Sequence, residues 1–506
     1  MLQDFTAINN LYLCLDQGGQ ASRAMVFDNQ GQLVAQAWAP LEAHQPNDDR
    51  VEYPAEELLA SIRRAIEKVL DTLGERRRNI SAVGLATQRS NIACWDRQTG
   101  EALTPILGWQ DRRAHQWLQR LKPQTDIIHR RTGLFLNSHC GASKLRWCLD
   151  NIVEVKQAAD EGRLAFGPMA SFIIHRLLDE RPLLTDPVNA SRTQLLNIRS
   201  RNWDPELLKL FGLPAQALPT VVPNLHTFGN LTIGDVSIPL RLLNGDQSTA
   251  IYAYGAVQPD TAYVNIGTGA FVSRPSGMAR IFSSYLLTSL VLQKENKDCD
   301  YVLEGTVNSA ASALKWLAHQ EGIENIFEQL SGWLQQTDQP PIFLNGIGGL
   351  GSPWWIADFN SRFYGQGGKQ EKAVAVAESI IFLLNINLEK MHHLSSPPEQ
   401  IQITGGLAQI DGLCQRLADL SCLPVYRPRE TEATARGIVF LLADYPEHWP
   451  ETDIGIWFTP QPNAALQARY TEWKTLMQTE VTAINKQSRL LSKASLLAAG
   501  YDTQRD

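Results

Sequence analysis

Several short segments of this chain carry residues able to do chemistry. Asp16-Gln17-Gly18-Gly19-Gln20-Ala21-Ser22-Arg23 sets a carboxylate at the end of an apolar run, two glycines behind it and a guanidinium just beyond. A turn through such glycines offers several backbone N–H groups to a phosphate, while Asp16 can reach a divalent cation or its water. An ordinary glycine hairpin would use the same residues. Ile266-Gly267-Thr268-Gly269-Ala270 has the same form and adds a hydroxyl; facing each other across a cleft, the two turns would clamp a triphosphate. Asn244-Gly245-Asp246-Gln247 puts a carboxylate at a strand end, where desolvation makes it a usable general base and where a helix cap is an equal reading. Gly405-Gly406-Leu407 lets the backbone approach a flat ligand or offers N–H groups at a helix start.

The elements that must hold these segments follow from periodicity. Residues 11–16, 23–28 and 33–39 read as a three-strand meander with a tight turn at Asn29-Gln30-Gly31. A helix over 54–73 follows, with Leu58, Leu59, Ile62, Ala65, Ile66, Val69 and Leu70 at helical spacing, Pro54 at its start and Gly74 at its stop. Strands are expected over 80–87 and 91–96, and a short apolar strand over 240–244 leads to Asp246 before a helix that starts at 249. The pattern then begins again: strands over 262–266 and 270–273, a hairpin from 286–294 with 301–304, an amphipathic helix over 374–391, a strand over 400–404 and a helix over 412–421. The halves, 1–252 and 253–506, look like two copies of one α/β plan.

Composition limits the function. The 506 residues suffice for two large domains, and the formal net charge of −7 with no basic run argues against a nucleic-acid track. The seven cysteines, Cys14, Cys94, Cys140, Cys148, Cys299, Cys414 and Cys422, are scattered and odd in number, so they read as reduced buried thiols. No apolar stretch approaches the ~18 residues of a membrane span, and the first basic residue is Arg23, so a cytoplasmic protein without nucleic-acid or membrane partners is expected. The run Gly346-Ile347-Gly348-Gly349-Leu350-Gly351 fits G-x-G-x-x-G, yet Ser352-Pro353-Trp354-Trp355 stands where a dinucleotide fingerprint needs a helix. P-loop, zincin and α/β-hydrolase motifs do not occur, and His392-His393 reads as helix surface.

Asp16 to Arg23, Thr87-Gln88-Arg89-Ser90, Gly108-Trp109-Gln110-Asp111-Arg112-Arg113, Gly245-Asp246-Gln247, Asn265 to Phe271, Leu303-Glu304-Gly305 and Thr404-Gly405-Gly406 fall in the order and spacing of a known family. Over residues 11 to 443 the chain resembles the FGGY carbohydrate kinases, nearest in pattern to the glycerol kinase branch. The resemblance implies an α/β fold of two actin-like ATPase (ribonuclease H-like) domains, each a mixed sheet with flanking helices, around a central cleft. It also implies ATP and Mg²⁺ as cofactors, a small polyol or sugar as substrate, and a homodimer or larger homo-oligomer. Asp246 would be the general base, and Asp16 with Asp246 would border the metal. ATP would be held by Asp16, Gly18, Gly19, Gln20 and Arg23, by Gly267, Thr268 and Gly269, and on its nucleoside side by Ala311, Lys315, Gly405, Gly406 and Asp411. Arg89, Ser90, Trp109, His139, Asp246, Gln247 and Phe271 would form the polyol pocket, Arg89 offering a fork of donors to vicinal oxygens.

The departures from the glycerol kinase pattern are as informative. Gly19-Gln20 stand where that branch has Thr-Thr, Ser90 where it has Glu, His139 where it has Tyr, Ala311 and Lys315 where it has Gly and Gln, and Ile410 where it has Asn or Ser. Loss of the carboxylate at Ser90 makes room for a longer polyol or a ketose and is expected to leave an Arg89 donor without a partner when glycerol is bound. The leading expectation is ATP-dependent phosphorylation of a primary hydroxyl on a glycerol-like polyol. A pentulose kinase is the alternative within the class, and a nucleotide- or sugar-binding regulator with little turnover is the alternative outside it.

Overall fold

The structure, a computed structural model, describes residues 10–295, 298–429, 432–449 and 455–498, with side chains as far as residue 486. The opening meander forms from β1 (Leu11–Gln17), β2 (Ala21–Asp28) and β3 (Leu33–Pro40), antiparallel neighbours with Asp16 opposite Arg23. Gly31, at φ 71, makes the turn between β2 and β3, where the Asp28 carboxylate accepts the N–H groups of Gln30 and Gln32. In α1 (Ala55–Leu73) all seven apolar positions of the stripe are buried. At ~1.5–3 kcal/mol for each large side chain, that burial, more than intrinsic propensity, fixes the helix on the sheet.

β4 (Ile80–Thr87) runs parallel to β1. The strand expected at 91–96 is Ile92–Asp96, but it leaves the main sheet for a separate four-stranded one with Glu52–Tyr53, Ile106–Leu107 and Leu164–Pro168. Between it and β4, Ser90 takes φ 68, which turns the chain aside. After α2 (Gly141–Asn151) and α3 (Pro187–Ser191), β5 (Leu225–Ile233) and β6 (Val236–Gly245) complete the first sheet in the order β5-β6-β4-β1-β2-β3. The helix expected from 249 is instead α4 (Asp246–Ala250), because Gly245 takes the extended N-cap conformation and the Thr249 hydroxyl donates back to the Gly245 carbonyl at 2.8 Å.

The second sheet repeats the plan. It is built from β7 (Thr261–Ile266), β8 (Ala270–Gly277), β9 (Leu287–Gln293) and β10 (Cys299–Val307). Then come α5 (Ala311–Glu321), α6 (Lys369–His392), β11 (Gln400–Thr404), α7 (Asp411–Ser421) and β12 (Val425–Arg427). Its order, with β13 (Ile456–Phe458) at one edge, is β9-β10-β8-β7-β11-β12-β13. In each sheet the first strand, β1 or β7, has an antiparallel meander on one side and a parallel strand, β4 or β11, on the other.

Two expectations about this half need correction. α6 is not amphipathic: every residue from Ala373 to Leu388 is buried, since the second sheet lies on one side and further helices on the other. Its buried Glu378 is tolerated because Arg416 and Arg469 both hold it. Cys422 is exposed, unlike the other six cysteines, because it takes the left-handed C-cap position of α7. Late in the chain, α8 (Ala433–Leu442) packs back on the first sheet, with Ile438 against Gly84 and the Arg436 guanidinium donating to the Gly31 carbonyl at 3.0 Å. α9 (Ala464–Ala498) buries Leu466, Tyr470, Trp473 and Met477 in the core of the second half. Among the described residues no helix is long and apolar enough to cross a membrane.

Candidate functional site

Strand register gathers the chemistry of the first half. Asp16 lies opposite Ala86 on β4, and Ala86 lies opposite Asn244 on β6, so Asp16, the Gln88-Arg89-Ser90 turn and Asp246 all leave the carboxyl ends of three adjacent parallel strands. Neighbouring strands are ~4.8 Å apart, which sets Asp16 and Asp246 roughly 10 Å apart at the backbone, with side chains able to converge. Ligands of open α/β sheets bind at such strand ends.

The two carboxylates feel each other. Burial first, and then the charge of Asp246, push the Asp16 pKa up to about 7, against the pull of Arg23, whose Nη1 stands 3.5 Å away. Burial also raises Asp246, against the pull of Arg89. Among the described residues no cluster of three or more His, Cys, Asp or Glu forms a cage for a metal. Two buried strand-end carboxylates are an oxygen donor set that suits a hard cation completing its shell with phosphate oxygens and water.

Arg89 sits beside Asp246 with its donors engaged. One Nη reaches the Gln247 side-chain carbonyl, and the other stands 3.5 Å from both the Ser248 hydroxyl and Glu304 Oε2. The expectation of an unpartnered Arg89 donor is therefore corrected: the protein supplies acceptors of its own. Glu304, on β10 of the second half, also receives Arg192 Nη2 at 2.8 Å, and its side chain is 3% exposed. Burial would raise its pKa, yet Arg192 and then Arg89 overcome this and hold it at about 2. Glu304 Oε1 has no hydrogen-bond partner among the described residues.

Around this cluster stand the other pocket residues. Trp109 meets the His139 ring edge to face, 5.8 Å between centroids, and the Trp109 backbone N–H donates to the Asn91 side-chain carbonyl at 2.7 Å. Burial, reinforced by the positive charges of Lys144 and Arg112, lowers the His139 pKa to about 4, so its ring is neutral near pH 7. Phe271 lies across from Thr306, two positions along β10 from Glu304, and so shares a sheet face with Glu304.

The glycine segments are close-packed for identifiable reasons. In the first turn the Gly18 N–H donates to the Ala21 carbonyl at 3.1 Å, and a Cβ on Gly19 would stand 2.9 Å from Gln88 Nε2 and 3.2 Å from the Tyr53 hydroxyl. A threonine there would have to displace Gln88, which accounts for the glycine. Gln20 is exposed. In the second half the Gly267 N–H donates to the Gly269 carbonyl, while the Ala310 and Ser312 N–H groups donate to the Thr268 carbonyl, seating the turn on the start of α5. Gly405, at φ 100, could take no side chain, because a Cβ would lie 2.5 Å from the Ile266 carbonyl oxygen. Gly406 has open space where its side chain would be.

The nucleoside side is less assembled. Ala311 donates its N–H to the Gly267 carbonyl, but Lys315 is exposed one turn on. Asp411 pairs with Arg427 at 2.8 Å, at the first turn of α7, and is 66% exposed. Ile410 is buried in the core. The glycine run from 346 leads into a turn rather than a helix, and His392 and His393 are exposed, both as expected.

Sequence reading passed over three residues here: Arg192, Glu304 and Lys144. Glu304 lay inside a noticed block, but nothing local gave it a role. Arg192 ends a segment beginning Thr185-Asp186-Pro187, whose Asp-Pro helix start was a visible signal: Asp186 accepts the N–H groups of Val188 and Asn189, capping α3. Lys144, fully buried on α2, donates to the carbonyls of Ser90 at 2.9 Å, Gly108 at 2.8 Å and His139 at 3.0 Å. A lone lysine in a helical pattern gives no sign of that.

Comparison with known proteins bears on both halves. Residues 11–241 match the N-terminal domain, and residues 262–443 the C-terminal domain, of the FGGY family of carbohydrate kinases. A glycerol kinase of Shewanella frigidimarina is 32% identical over 459 residues, 88% of this chain and 91% of that protein. A glycerol kinase of Synechocystis is 34% identical over 86% of this chain and 91% of its own length. Among solved structures, Plasmodium falciparum glycerol kinase with ADP superimposes with a TM-score of 0.84 at 22% identity, covering 93% of this chain and 98% of its own. A xylulose kinase from Lactobacillus acidophilus gives 0.79 at 20% identity, covering 93% and 98%. The fold is therefore the actin-like ATPase fold of these kinases.

Proposed function

The chain belongs to the FGGY family of carbohydrate kinases, and from that premise we propose that it moves the terminal phosphoryl group of ATP to a primary hydroxyl of a small polyol, glycerol above all. The observation that carries this reading is the convergence of Asp16, Arg89 and Asp246 at three adjacent strand ends, beside a glutamate contributed by the other half of the chain. We take residues 1–252 and 253–506 as the two halves of the cleft, with α8 crossing back to the first sheet, and we place the reaction in the cytoplasm.

Asp246 accepts the proton of the attacking hydroxyl; the oxygen forms a bond to the γ-phosphorus as the bond to the β-phosphate oxygen breaks, and ADP leaves. Burial raises the carboxylate's proton affinity, which suits a base, while Arg89 keeps it ionised enough to act. Phosphoryl transfer asks mainly for positioning and charge stabilisation. The N–H groups of the Gly18 and Gly267 turns orient the phosphates. Arg89 and Gln247 direct the substrate's hydroxyls, and Trp109, His139 and Phe271 wall its carbons. Asp16 and Asp246 would hold Mg²⁺, which supplies charge neutralisation on the phosphates when bound.

A pentulose is the second reading, favoured by Ser90, which leaves the Arg89 end of the pocket without the carboxylate of the glycerol kinase pattern. The test is a coupled ADP-release screen of purified protein against glycerol, tetritols, pentitols, tetruloses, pentuloses and hexuloses. Glycerol giving the highest kcat/KM supports the first reading; a pentulose doing so supports the second. ATP binding without turnover on any of them would leave the protein as a nucleotide-binding regulator.

A further inference from the structure

Among the described residues Lys144, in the interior of the first half, has no direct carboxylate partner. Its three N–H bonds go to three backbone carbonyls, at 2.8–3.0 Å. Those carbonyls come from three loops that share no strand or helix. Ser90 follows Arg89, Gly108 precedes Trp109, and His139 carries the ring that meets Trp109 edge to face. The three loops that present Arg89, Trp109 and His139 are thus tied to one ammonium group.

A group that served packing alone would not be a charge. Burial costs an ammonium several kcal/mol, and here it lowers the Lys144 pKa to about 8. That cost is offset by three carbonyl dipoles, of which the Gly108 carbonyl also accepts the Asp111 N–H at 3.1 Å. Ser90 adds an independent sign of constraint: a non-glycine residue at φ 68, in a conformation that persists only where its surroundings hold it. Lys144 is itself held in place. Its helix, α2, begins with the Gly141 and Ala142 N–H groups donating to the carbonyls of Arg192 and Thr193, next to the guanidinium that grips Glu304. Nearby Asp111 is hydrogen-bonded to Arg113 and the Val51 N–H, so its charge favours the ammonium without a direct contact.

We propose that Lys144 is a positioning residue for the polyol pocket, its ammonium fixing the separation of Arg89, Trp109 and His139 by holding the carbonyls of Ser90, Gly108 and His139. The proposal rests on the polyol-kinase reading. It makes Lys144 a determinant of substrate choice that never touches substrate: release of the three loops would let the pocket walls shift by a fraction of an ångström to an ångström. A displacement of that size costs up to ~10²-fold where a positioned group moves; here the walls that move hold the polyol rather than Asp246, so the loss falls on KM.

The experiment compares Lys144→Met, which keeps volume and loses all donors, with Lys144→Gln, which keeps two N–H donors and loses the charge. The wild-type enzyme is first assayed with the polyol panel; if it phosphorylates none, the functional reading fails, and that result is distinct from anything the variants show. With an active wild type, the expected result is a KM for the preferred polyol raised ~10- to 100-fold in Lys144→Met and less in Lys144→Gln. kcat and the affinity for a non-hydrolysable ATP analogue, measured by calorimetry, should stay within about threefold, and the preference among three-, four- and five-carbon substrates should flatten. An unchanged polyol KM in a folded variant overturns the proposal. So does a parallel loss of ATP binding and kcat, or failure of both variants to fold, since each makes Lys144 a support of the whole domain rather than of the pocket.

Discussion

Glu304→Gln probes the junction between the two halves. Glu304 Oε2 lies 2.8 Å from Arg192 Nη2 and 3.5 Å from Arg89 Nη1, with the glutamate on β10 and both arginines in the first half. Its pKa stands at about 2 against an ordinary 4.5; at ~1.4 kcal/mol per pKa unit, the arginines favour the charged form by about 3 kcal/mol net of burial. Removing one partner of a buried ion pair costs ~3–5 kcal/mol, much of it from the charge left behind. Glutamine keeps the shape and an acceptor but leaves two guanidiniums facing each other, already in mutual conflict, since burial and then Arg192 lower the Arg89 pKa. The pair joins different sheets, so its loss should fall on assembly of the pocket more than on either core. We expect kcat/KM for the polyol to fall ~10²-fold, affinity for an ATP analogue to change less than threefold, and Glu304→Asp to lie between. The assay is steady-state ADP release with calorimetry as the control. A folded Glu304→Gln enzyme with kcat/KM within threefold of wild type would refute this account of the junction.

Asp246→Asn should bind ATP normally and lose ~10²- to 10⁴-fold in kcat, as expected for a missing general base; turnover near wild type would remove Asp246 from that role. Ser90→Glu with His139→Tyr should raise kcat/KM for glycerol relative to four- and five-carbon substrates, measured by competition. Because Arg89 already has acceptors in Gln247, Ser248 and Glu304, the gain should sit near the low end of the ~5- to 150-fold range that an unpartnered buried donor would allow. His139 and His129 should each contribute stability that is lost on acidification from about pH 6.5 towards pH 4, while Asp16 and Asp186, raised to about 7 and about 6, act in the opposite direction. His139 and His129 have their pKa values lowered by burial to about 4, so in that window these two rings bind protons in the unfolded chain that they do not bind in the folded one. Urea midpoints at pH 7.5 and 5 in wild type and His139→Tyr isolate the His139 share: the variant should lose less, or gain more, on acidification than wild type does.

The sequence by itself specified several elements whose signal is local, though not α3, whose Asp-Pro start was passed over. The meander of β1 to β3 was legible because apolar strands alternate with Asn-Gln-Gly and Gly-Gly turns. α1 was legible because seven apolar residues recur at helical spacing between Pro54 and Gly74. Asp16 and Asp246 stood out as carboxylates ending apolar strands, and parallel pairing with β4 then brought them together. Tertiary structure decided what such signals do not contain. α6 carries enough polar residues to look amphipathic, and only the layers on both sides of it show why Glu378 needs Arg416 and Arg469. Arg89 looked short of an acceptor while its neighbour Ser90 was the sole residue in view; Glu304, 215 positions away, supplies one. Lys144 reaches carbonyls 5, 36 and 54 positions distant, and a carbonyl is the same in every residue. Periodicity and turn chemistry act over a few residues along the chain, whereas a buried charge is stabilised by whichever dipoles the fold brings to within 3 Å, and that proximity exists only once the chain has closed.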